Sequence, residues 1–565
     1  MRKRSASNGV TLNVVSGTNV VLLAFDLTEE RRSSCMGFAI QRIDHTADEK
    51  VWLRGMKTFE LTDPGLGPGG TVSTLDHPIQ SFQWADYGVL PGRKYTYRVY
   101  ALKGTSPVGL VKGPAIQATI TTEAEAGGTH SIYFNRGSVA SQAYARDFLN
   151  TPPSAFASTA QRAAAYKFLS RGLEEALLAF IARADGPEYE LHAAVYEFRW
   201  PSVLAALGAA AATNAKVSVI YDAIPGATKP GAKNLDAINA AGIGHLVKPR
   251  TRGTIMHNKF FVLSRNGAPV AVWTGSTNIT EQGIFGHLNL GHVVEDPAVA
   301  QQFRDYWDIV EQNLTQSPDR KAVGALSVRP PPPPLEPITV TFSPQVTSGD
   351  PPTAAVLDWY AELAGAAQEG LFMTFAFGMN DRFAKLYERK DDVLRLALME
   401  TEANGSKEVV EAARRRLSAL RRRPNVVLAI GGRQAISGVE RWLDELTQIS
   451  PTVHVYWIHT KFALIDPLGD NPVVITGSAN FSVASTNENH ENMLVIAGDK
   501  RVADIYFTEY LRLFAHYAFR ETLIKREIWD LADWHPEDLV PDPSWTDDYY
   551  KPGQRSARRR YYART

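Results

Sequence analysis

One stretch of this sequence occurs twice, and it limits what the chain can fold into. Residues 255–263 read IMHNKFFVL and are followed at 275–278 by GSTN. Residues 457–466 read WIHTKFALID and are followed at 477–480 by GSAN. In both copies the serine lies 19 residues after the histidine, and the two histidines are 202 positions apart. A period of this length indicates a duplicated domain rather than a solenoid of short repeats.

Each copy is predicted to place four polar side chains on one face. The His-x-Lys of each copy falls in an apolar, β-branched and aromatic run that predicts a strand, so the histidine and the lysine share a face. The Ser and Asn of each G-S-x-N have equal parity after a second such run. Histidine can attack phosphorus or donate a proton, while lysine, serine and asparagine can hold phosphoryl oxygens, so the set suits a phosphodiester. The candidate catalytic residues are His257, Lys259, Ser276, Asn278, His459, Lys461, Ser478 and Asn480.

These paired motifs resemble the H-x-K-x4-D and G-S-x-N motifs of the phospholipase D superfamily. Its members include phospholipases D, cardiolipin synthases, bacterial endonucleases and tyrosyl-DNA phosphodiesterases. The resemblance implies two α/β lobes with one active site between them. It also implies a phosphodiesterase that needs no metal and no cofactor, because two lysine ammonium groups can neutralise the developing charge, and that works through a phosphohistidine.

The two copies differ at the acidic position that closes the first motif. Copy two has Asp466 there, which we expect to support the site, whereas copy one has Ser264. One interpretation is a degenerate first copy in a non-catalytic protein that binds a phosphorylated ligand. We prefer an enzyme, because the other four polar residues of copy one are all present.

A second difference lies 13 residues after each motif serine, where copy two has the catalytic candidate Glu491 and copy one has Asn289. In superfamily members a carboxylate or amide near this place hydrogen-bonds the catalytic imidazole, and the resemblance implies such a pairing within each copy. A carboxylate raises a histidine pKa, whereas an amide adds no charge. We therefore expect His459 with Glu491 to be the general acid, and His257 with Asn289 to be the nucleophile. This arrangement resembles the tyrosyl-DNA phosphodiesterases.

The rest of the chain divides around the duplication. Residues 1–122 hold short β-rich runs between turns and resemble a fibronectin type III sandwich, with either a scaffolding or a binding role. Residues 129–326 and 338–520 alternate strand and helix and predict two α/β lobes packed as a pseudo-dimer. Residues 327–337 contain five consecutive prolines and predict a stiff linker. Residues 521–565 form an aromatic and basic tail. The predicted fold class is multidomain.

The composition excludes few classes of protein, but it indicates the environment in which the protein works. The formal net charge of +0 means that no overall field favours nucleic acid or an anionic membrane. The one cysteine, Cys35, cannot form an intrachain disulfide, which is typical of a reducing compartment. A basic start without an apolar run argues against a secretory signal, and no run is long enough to span a membrane. We expect a cytoplasmic protein in which any membrane contact is peripheral.

Two basic segments bear on the substrate. A helix predicted over 408–423 carries arginine triplets at 414–416 and 421–423, which suit phosphate contacts or a solvated helix face. The tail combines Trp and Tyr with Arg, which suits base stacking or packing on the lobes. The partner is therefore a phospholipid or a nucleic acid. The leading prediction is phospholipase D-type head-group hydrolysis, and the alternative is a nuclease or DNA-end phosphodiesterase.

Overall fold

The computed structural model describes most of the chain. It covers residues 1–565 except 68, 138–141, 150, 227–228, 327–334, 348–352, 404, 432–457 and 529–537, and it omits the side chains of 142, 145 and 519–528. The predicted proline run at 330–334 lies outside the described residues. The described part has a β-rich N-terminal region followed by two lobes of mixed α/β structure, as predicted.

The described part of the N-terminal region is all-β apart from a short α-helix and a 3-10 turn at Glu60–Thr62. Its elements are β1 (Arg2–Ser7), β2 (Val10–Ser16), β3 (Val21–Leu27), α1 (Glu29–Arg32), β4 (Cys35–Asp44), β5 (Glu49–Trp52), β6 (Arg54–Gly55), β7 (Val72–Ser73), β8 (Gln83–Asp86), β9 (Lys94–Lys103) and β10 (Val111–Thr121). Two four-stranded antiparallel sheets, in the orders β1-β2-β3-β8 and β10-β9-β4-β5, enclose one core. The likeness to fibronectin type III stays a prediction.

The first lobe is built on one seven-stranded sheet. Its elements are β11 (His130–Phe134), α2 (Gln142–Phe148), α3 (Thr159–Ser170), α4 (Leu173–Ile181), β12 (Tyr189–Val195), α5 (Pro201–Ala212), β13 (Lys216–Asp222), α6 (Gly231–Ala241), β14 (Val247–Arg250), β15 (Lys259–Arg265), β16 (Ala268–Gly275), β17 (Leu290–Val294), α7 (Pro297–Glu311) and α8 (Gln316–Leu326). The strand order is β11-β17-β16-β15-β12-β13-β14. Only the β12–β13 and β13–β14 pairs are parallel.

The second lobe repeats this plan strand for strand. Its elements, with the tail helix, are β18 (Ile338–Ser343), α9 (Ala355–Gly365), β19 (Gly370–Phe375), α10 (Asp381–Tyr387), β20 (Leu394–Met399), α11 (Lys407–Arg421), β21 (Val426–Ile430), β22 (Phe462–Ile465), β23 (Val473–Gly477), α12 (Val483–Asn487), β24 (Glu491–Ala497), α13 (Lys500–Ile528) and α14 (Gln554–Ala563). The order β18-β24-β23-β22-β19-β20-β21 has its parallel pairs in the same places as the first lobe. The predicted duplication of the fold is confirmed.

One predicted helix is broken in the structure. The helical pattern over 160–182 predicts a single helix, but α3 ends at Ser170 and α4 begins at Leu173. The connecting residues Arg171 and Gly172 have φ values of 47° and 92°, which end a right-handed helix. Helix α3 begins at Thr159, and Ser158 caps it, because the Ser158 hydroxyl accepts the backbone N–H of Gln161.

The two lobes share a core at their interface. Helix α13 supplies much of it: the ring of Tyr506 lies 5.2 Å from that of Phe134 in lobe one and 5.3 Å from that of Phe462 in lobe two. Short parallel bridges also join the lobes, between Met256 and His490 and between Leu288 and Ile458. Among the described residues, no helix is long and apolar enough to cross a membrane.

The described part of the tail packs against the rest of the protein. The indole N–H of Trp545 donates to the carbonyl oxygen of Cys35 at 2.8 Å, and its ring stacks on Phe82 at 5.2 Å. Tyr561 and Tyr562 of α14 are buried. The expectation of aromatic packing therefore fits this segment better than base stacking does, because these rings are already covered.

Candidate active site

The two predicted histidines meet at the interface between the lobes. The imidazole centroids of His257 and His459 are 6.3 Å apart. Each is placed by the opposite lobe: the backbone N–H of His257 donates to the carbonyl oxygen of His490 at 3.0 Å, and that of His459 donates to Leu288 at 3.2 Å. Sequence-distant motifs thus form one site, as the superfamily resemblance implies.

The partner of each imidazole comes from the opposite lobe. Nδ1 of His257 lies 2.9 Å from a carboxylate oxygen of Glu491, and Nδ1 of His459 lies 2.9 Å from Oδ1 of Asn289. The prediction that Glu491 backs His459 and that Asn289 backs His257 is therefore wrong. The residues are the right ones, but the pseudo-twofold arrangement of the lobes exchanges them.

The motif serines explain why the exchange occurs. Within each lobe, Oγ of Ser276 donates to Oδ1 of Asn289 at 2.8 Å, and Oγ of Ser478 donates to a Glu491 oxygen at 2.7 Å. Each acceptor is thus held by its own lobe and points across the interface. Both serines are completely buried. They therefore position the histidine partners, and the expectation that they support phosphoryl oxygens directly is corrected.

The motif lysines are buried beside the histidines. Nζ of Lys259 donates to the carbonyl oxygen of His257 at 2.6 Å, and Nζ of Lys461 donates to that of His459 at 2.5 Å. Burial lowers the pKa of Lys259 to about 8 and lowers the pKa of Lys461 well below its ordinary value. Two desolvated ammonium groups in one cleft favour a bound anion, because its charge offsets their burial and their mutual repulsion.

The protonation of the imidazoles follows from their surroundings. Burial lowers the pKa of His257 to about 4, although Glu491 acts in the opposite direction. Burial and the Lys461 ammonium lower the pKa of His459 well below its ordinary value. Because acceptors face both Nδ1 atoms, a neutral ring carries its proton there and has its Nε2 lone pair free for chemistry. A phosphodiester anion in the cleft would raise both pKa values.

The two motif asparagines have different surroundings. Nδ2 of Asn278 donates to Glu197 at 2.7 Å, and Glu197 also pairs with Arg199 at 2.6 Å. Asn480 lies at the corresponding position of lobe two, where the sheet register puts Phe377 in place of Glu197. The motif asparagine of lobe one is therefore paired with a carboxylate, whereas the corresponding position of lobe two carries no carboxylate.

Sequence reasoning missed two buried carboxylates. Asp222 ends β13 and accepts the backbone N–H of Met256 at 2.8 Å, while Glu400 follows β20 and accepts that of Ile458 at 2.8 Å. Each thus fixes the residue immediately before a motif histidine. Burial raises the pKa of Glu400 to about 7. The available signal was an acidic residue at the end of the second parallel strand in each lobe.

Another imidazole lines the site and was also missed. The ring centroid of His287 lies 5.6 Å from that of His459. Burial and the Lys461 ammonium lower its pKa to about 4. His287 follows a single π-helical turn at Gln282–Gly286, which no sequence pattern predicted.

Asp466 lies outside the site, which corrects the expectation that it supports catalysis. Its carboxylate accepts the backbone N–H groups of Gln368, Glu369 and Gly370 at 2.9, 2.7 and 2.8 Å. These contacts fix the start of β19, at the end of β22 away from Lys461. The replacement by Ser264 in copy one therefore leaves the histidine and lysine of that copy unaffected.

Comparisons with known proteins agree with this geometry. A family model described as the PLD-like domain of cardiolipin synthase matches residues 177–309 and 403–513, one segment in each lobe. No curated protein matches the chain.

Solved structures that are similar to the chain include the following three. Phosphatidylserine synthase of Haemophilus influenzae Rd KW20 is 11% identical with a TM-score of 0.38, over 67% of this chain and 91% of that chain. Nuc, a phospholipase D family member of Salmonella typhimurium, is 23% identical with a TM-score of 0.20, over 24% and 84%. Polyphosphate kinase of Porphyromonas gingivalis is 12% identical with a TM-score of 0.36, over 57% of this chain and only 42% of the kinase. The matched segments, the duplicated sheets and the paired motifs all support the phospholipase D superfamily.

Proposed function

We propose that this protein hydrolyses a phosphodiester through a covalent intermediate on His257. The observation that carries the proposal is the pair of imidazoles 6.3 Å apart, each bound at Nδ1 by an acceptor of the opposite lobe. This arrangement directs two Nε2 atoms to one cleft that also contains two buried lysines. One imidazole can attack phosphorus while the other protonates the departing oxygen.

In the first step, Nε2 of His257 attacks phosphorus. A P–N bond forms and the P–O bond to the leaving group breaks, while the His459 imidazolium gives its Nε2 proton to the leaving oxygen. Lys259 and Lys461 stabilise the charge on the non-bridging oxygens, with Asn278 and Asn480 donating hydrogen bonds. In the second step, neutral His459 accepts a proton from water as that water attacks phosphorus. The P–N bond then breaks, and both histidines return to their starting states.

Glu491 supports the choice of His257 as the nucleophile. A ring that carries Nδ1–H and a phosphoryl group on Nε2 is cationic, and a carboxylate 2.9 Å away stabilises it. The same carboxylate also favours an imidazolium, so charge alone does not select the role. The order of motifs does, because the superfamily resemblance implies that the nucleophile comes first in the chain.

For the substrate we propose a phospholipid, with head-group hydrolysis of the phospholipase D type. The matching family model is that of a cardiolipin synthase domain, which favours a lipid phosphodiester. The arginine-rich helix gives weaker support to nucleic acid, because Arg414 pairs with Glu402 and Arg416 pairs with Asp381. Part of its positive charge is therefore already neutralised.

A parallel hydrolysis assay tests the reaction and the substrate class. Phosphatidylcholine vesicles, single-stranded DNA and double-stranded DNA are each incubated with the protein in EDTA, with His257→Ala as the control. We expect choline release that the variant abolishes. DNA cleavage that the variant abolishes would replace the lipid by nucleic acid, and activity retained in His257→Ala would refute the proposed site.

A further inference from the structure

Each motif histidine contacts a three-residue segment of the opposite lobe, here called a corner, and the two corners differ in sequence. The corner that contacts His257 reads His490-Glu491-Asn492, and the corner that contacts His459 reads Leu288-Asn289-Leu290. The motif offset of 13 residues aligns Glu491 with Asn289, so both polar neighbours in one corner correspond to leucines in the other. All three residues of the corner therefore differ between the two lobes, and this difference needs a physical explanation.

His490 connects its corner to a buried ion pair of lobe one. One oxygen of Asp319 accepts from Arg250 at 2.9 Å and from Nε2 of His490 at 2.8 Å. The side chains of Arg250 and His490 are 0% exposed and that of Asp319 is 2% exposed. Because a buried carboxylate without partners is costly, His490 is strongly held to this pair.

Asn492 connects the other side of the corner to lobe one. Its Nδ2 donates to Oδ1 of Asn258 at 2.9 Å, and Asn258 is the residue directly after His257. Nδ2 of Asn258 in turn donates to the hydroxyl of Tyr306 at 3.1 Å. Glu491 is thus flanked on both sides by side chains that are hydrogen-bonded across the interface.

We infer that Arg250, Asp319 and His490 are positioning residues that hold the Glu491 carboxylate on His257. The inference rests on the proposed function, in which that carboxylate stabilises a phosphorylated imidazole. Glu491 is completely buried, so it needs fixed donors. A rotation of its backbone would break its contacts with both His257 and Ser478. The leucine corner lacks this network because Asn289 carries no charge and is held by Ser276 and the carbonyl oxygen of Gly283.

The substitution His490→Leu tests this inference. It places at position 490 the residue type found at the equivalent position, Leu288, and it leaves the Arg250–Asp319 ion pair intact. His490→Gln restores a donor toward Asp319. His292→Leu is the matched control, since His292 is equally buried and is bonded through both ring nitrogens, to His130 and Tyr506. Proteins labelled with ¹⁵N-histidine report the Nδ1–H resonance of His257, which a His257→Gln spectrum assigns.

We expect the His257 resonance in His490→Leu to move toward its position in Glu491→Gln, to return in His490→Gln and to stay in place in His292→Leu. We also expect kcat to fall by about 10- to 100-fold in His490→Leu with little change in KM. An unchanged His257 resonance in His490→Leu would overturn the inference. Failure of the proposed function would instead appear as activity retained in His257→Ala, whatever the spectra show.

Discussion

Removing the charge of Glu491 should slow the reaction while leaving the fold in place. Glu491→Gln keeps the shape of the side chain and an oxygen that can accept from Ser478, but it loses the carboxylate 2.9 Å from Nδ1 of His257. A hydrogen bond to a charged group contributes roughly 1.5–3 kcal/mol. If that contribution is made mainly in the transition state, kcat/KM falls by about 10- to 150-fold.

The pH dependence gives the substitution a second readout. Glu491 raises the pKa of His257 against the effect of burial, so the Gln variant should have a lower His257 pKa. Because the nucleophile must be neutral, the rising limb of kcat/KM should then move to lower pH. The assay is kcat/KM from pH 3 to 9, with Asp466→Asn as a control remote from the cleft. An unchanged rate and an unchanged limb would refute the assignment of Glu491 to His257.

Three further substitutions separate the roles of other residues. Asn289→Asp should raise the pKa of His459 by placing a carboxylate on it, so the falling limb of kcat, measured against pH, should move to higher pH. Asp466→Ala should lower the free energy of unfolding by about 3 kcal/mol in urea denaturation, through the loss of three backbone contacts, with kcat unchanged. Trp545→Ala should lower stability by about 3 kcal/mol and expose the tail to limited proteolysis, because the indole fills the core of the N-terminal sheets; a tail equally resistant in the variant would contradict this packing.

Sequence spacing identified the residues of the site but not their pairing. The offset of 13 residues led to Glu491 and Asn289, and each contacts the imidazole of a motif histidine. Spacing within one copy says nothing about which lobe faces a side chain, because the approach of the lobes depends on packing around α13. The pairing predicted within each copy was therefore the point at which sequence reasoning failed.

Other features lay beyond local patterns for similar reasons. The contact of Trp545 with the carbonyl oxygen of Cys35 joins residues 510 positions apart. The roles of Asp222 and Glu400 depend on strands that end beside the histidine loops, which only the sheet order shows. By contrast, the duplicated strand order followed from the repeat itself, since similar sequences with similar hydrophobic patterns fold alike.

Trapping the covalent intermediate tests the central claim most directly. A substrate with ³²P in the phosphodiester is mixed with wild-type protein, His257→Asn and His459→Asn, quenched in base within seconds, and the labelled peptide is identified by mass spectrometry. We predict base-stable, acid-labile label on His257 in the wild type, less label in His459→Asn because that variant lacks the group that protonates the leaving oxygen, and none in His257→Asn. Label on His459, or turnover of the substrate by His257→Asn, would contradict the account.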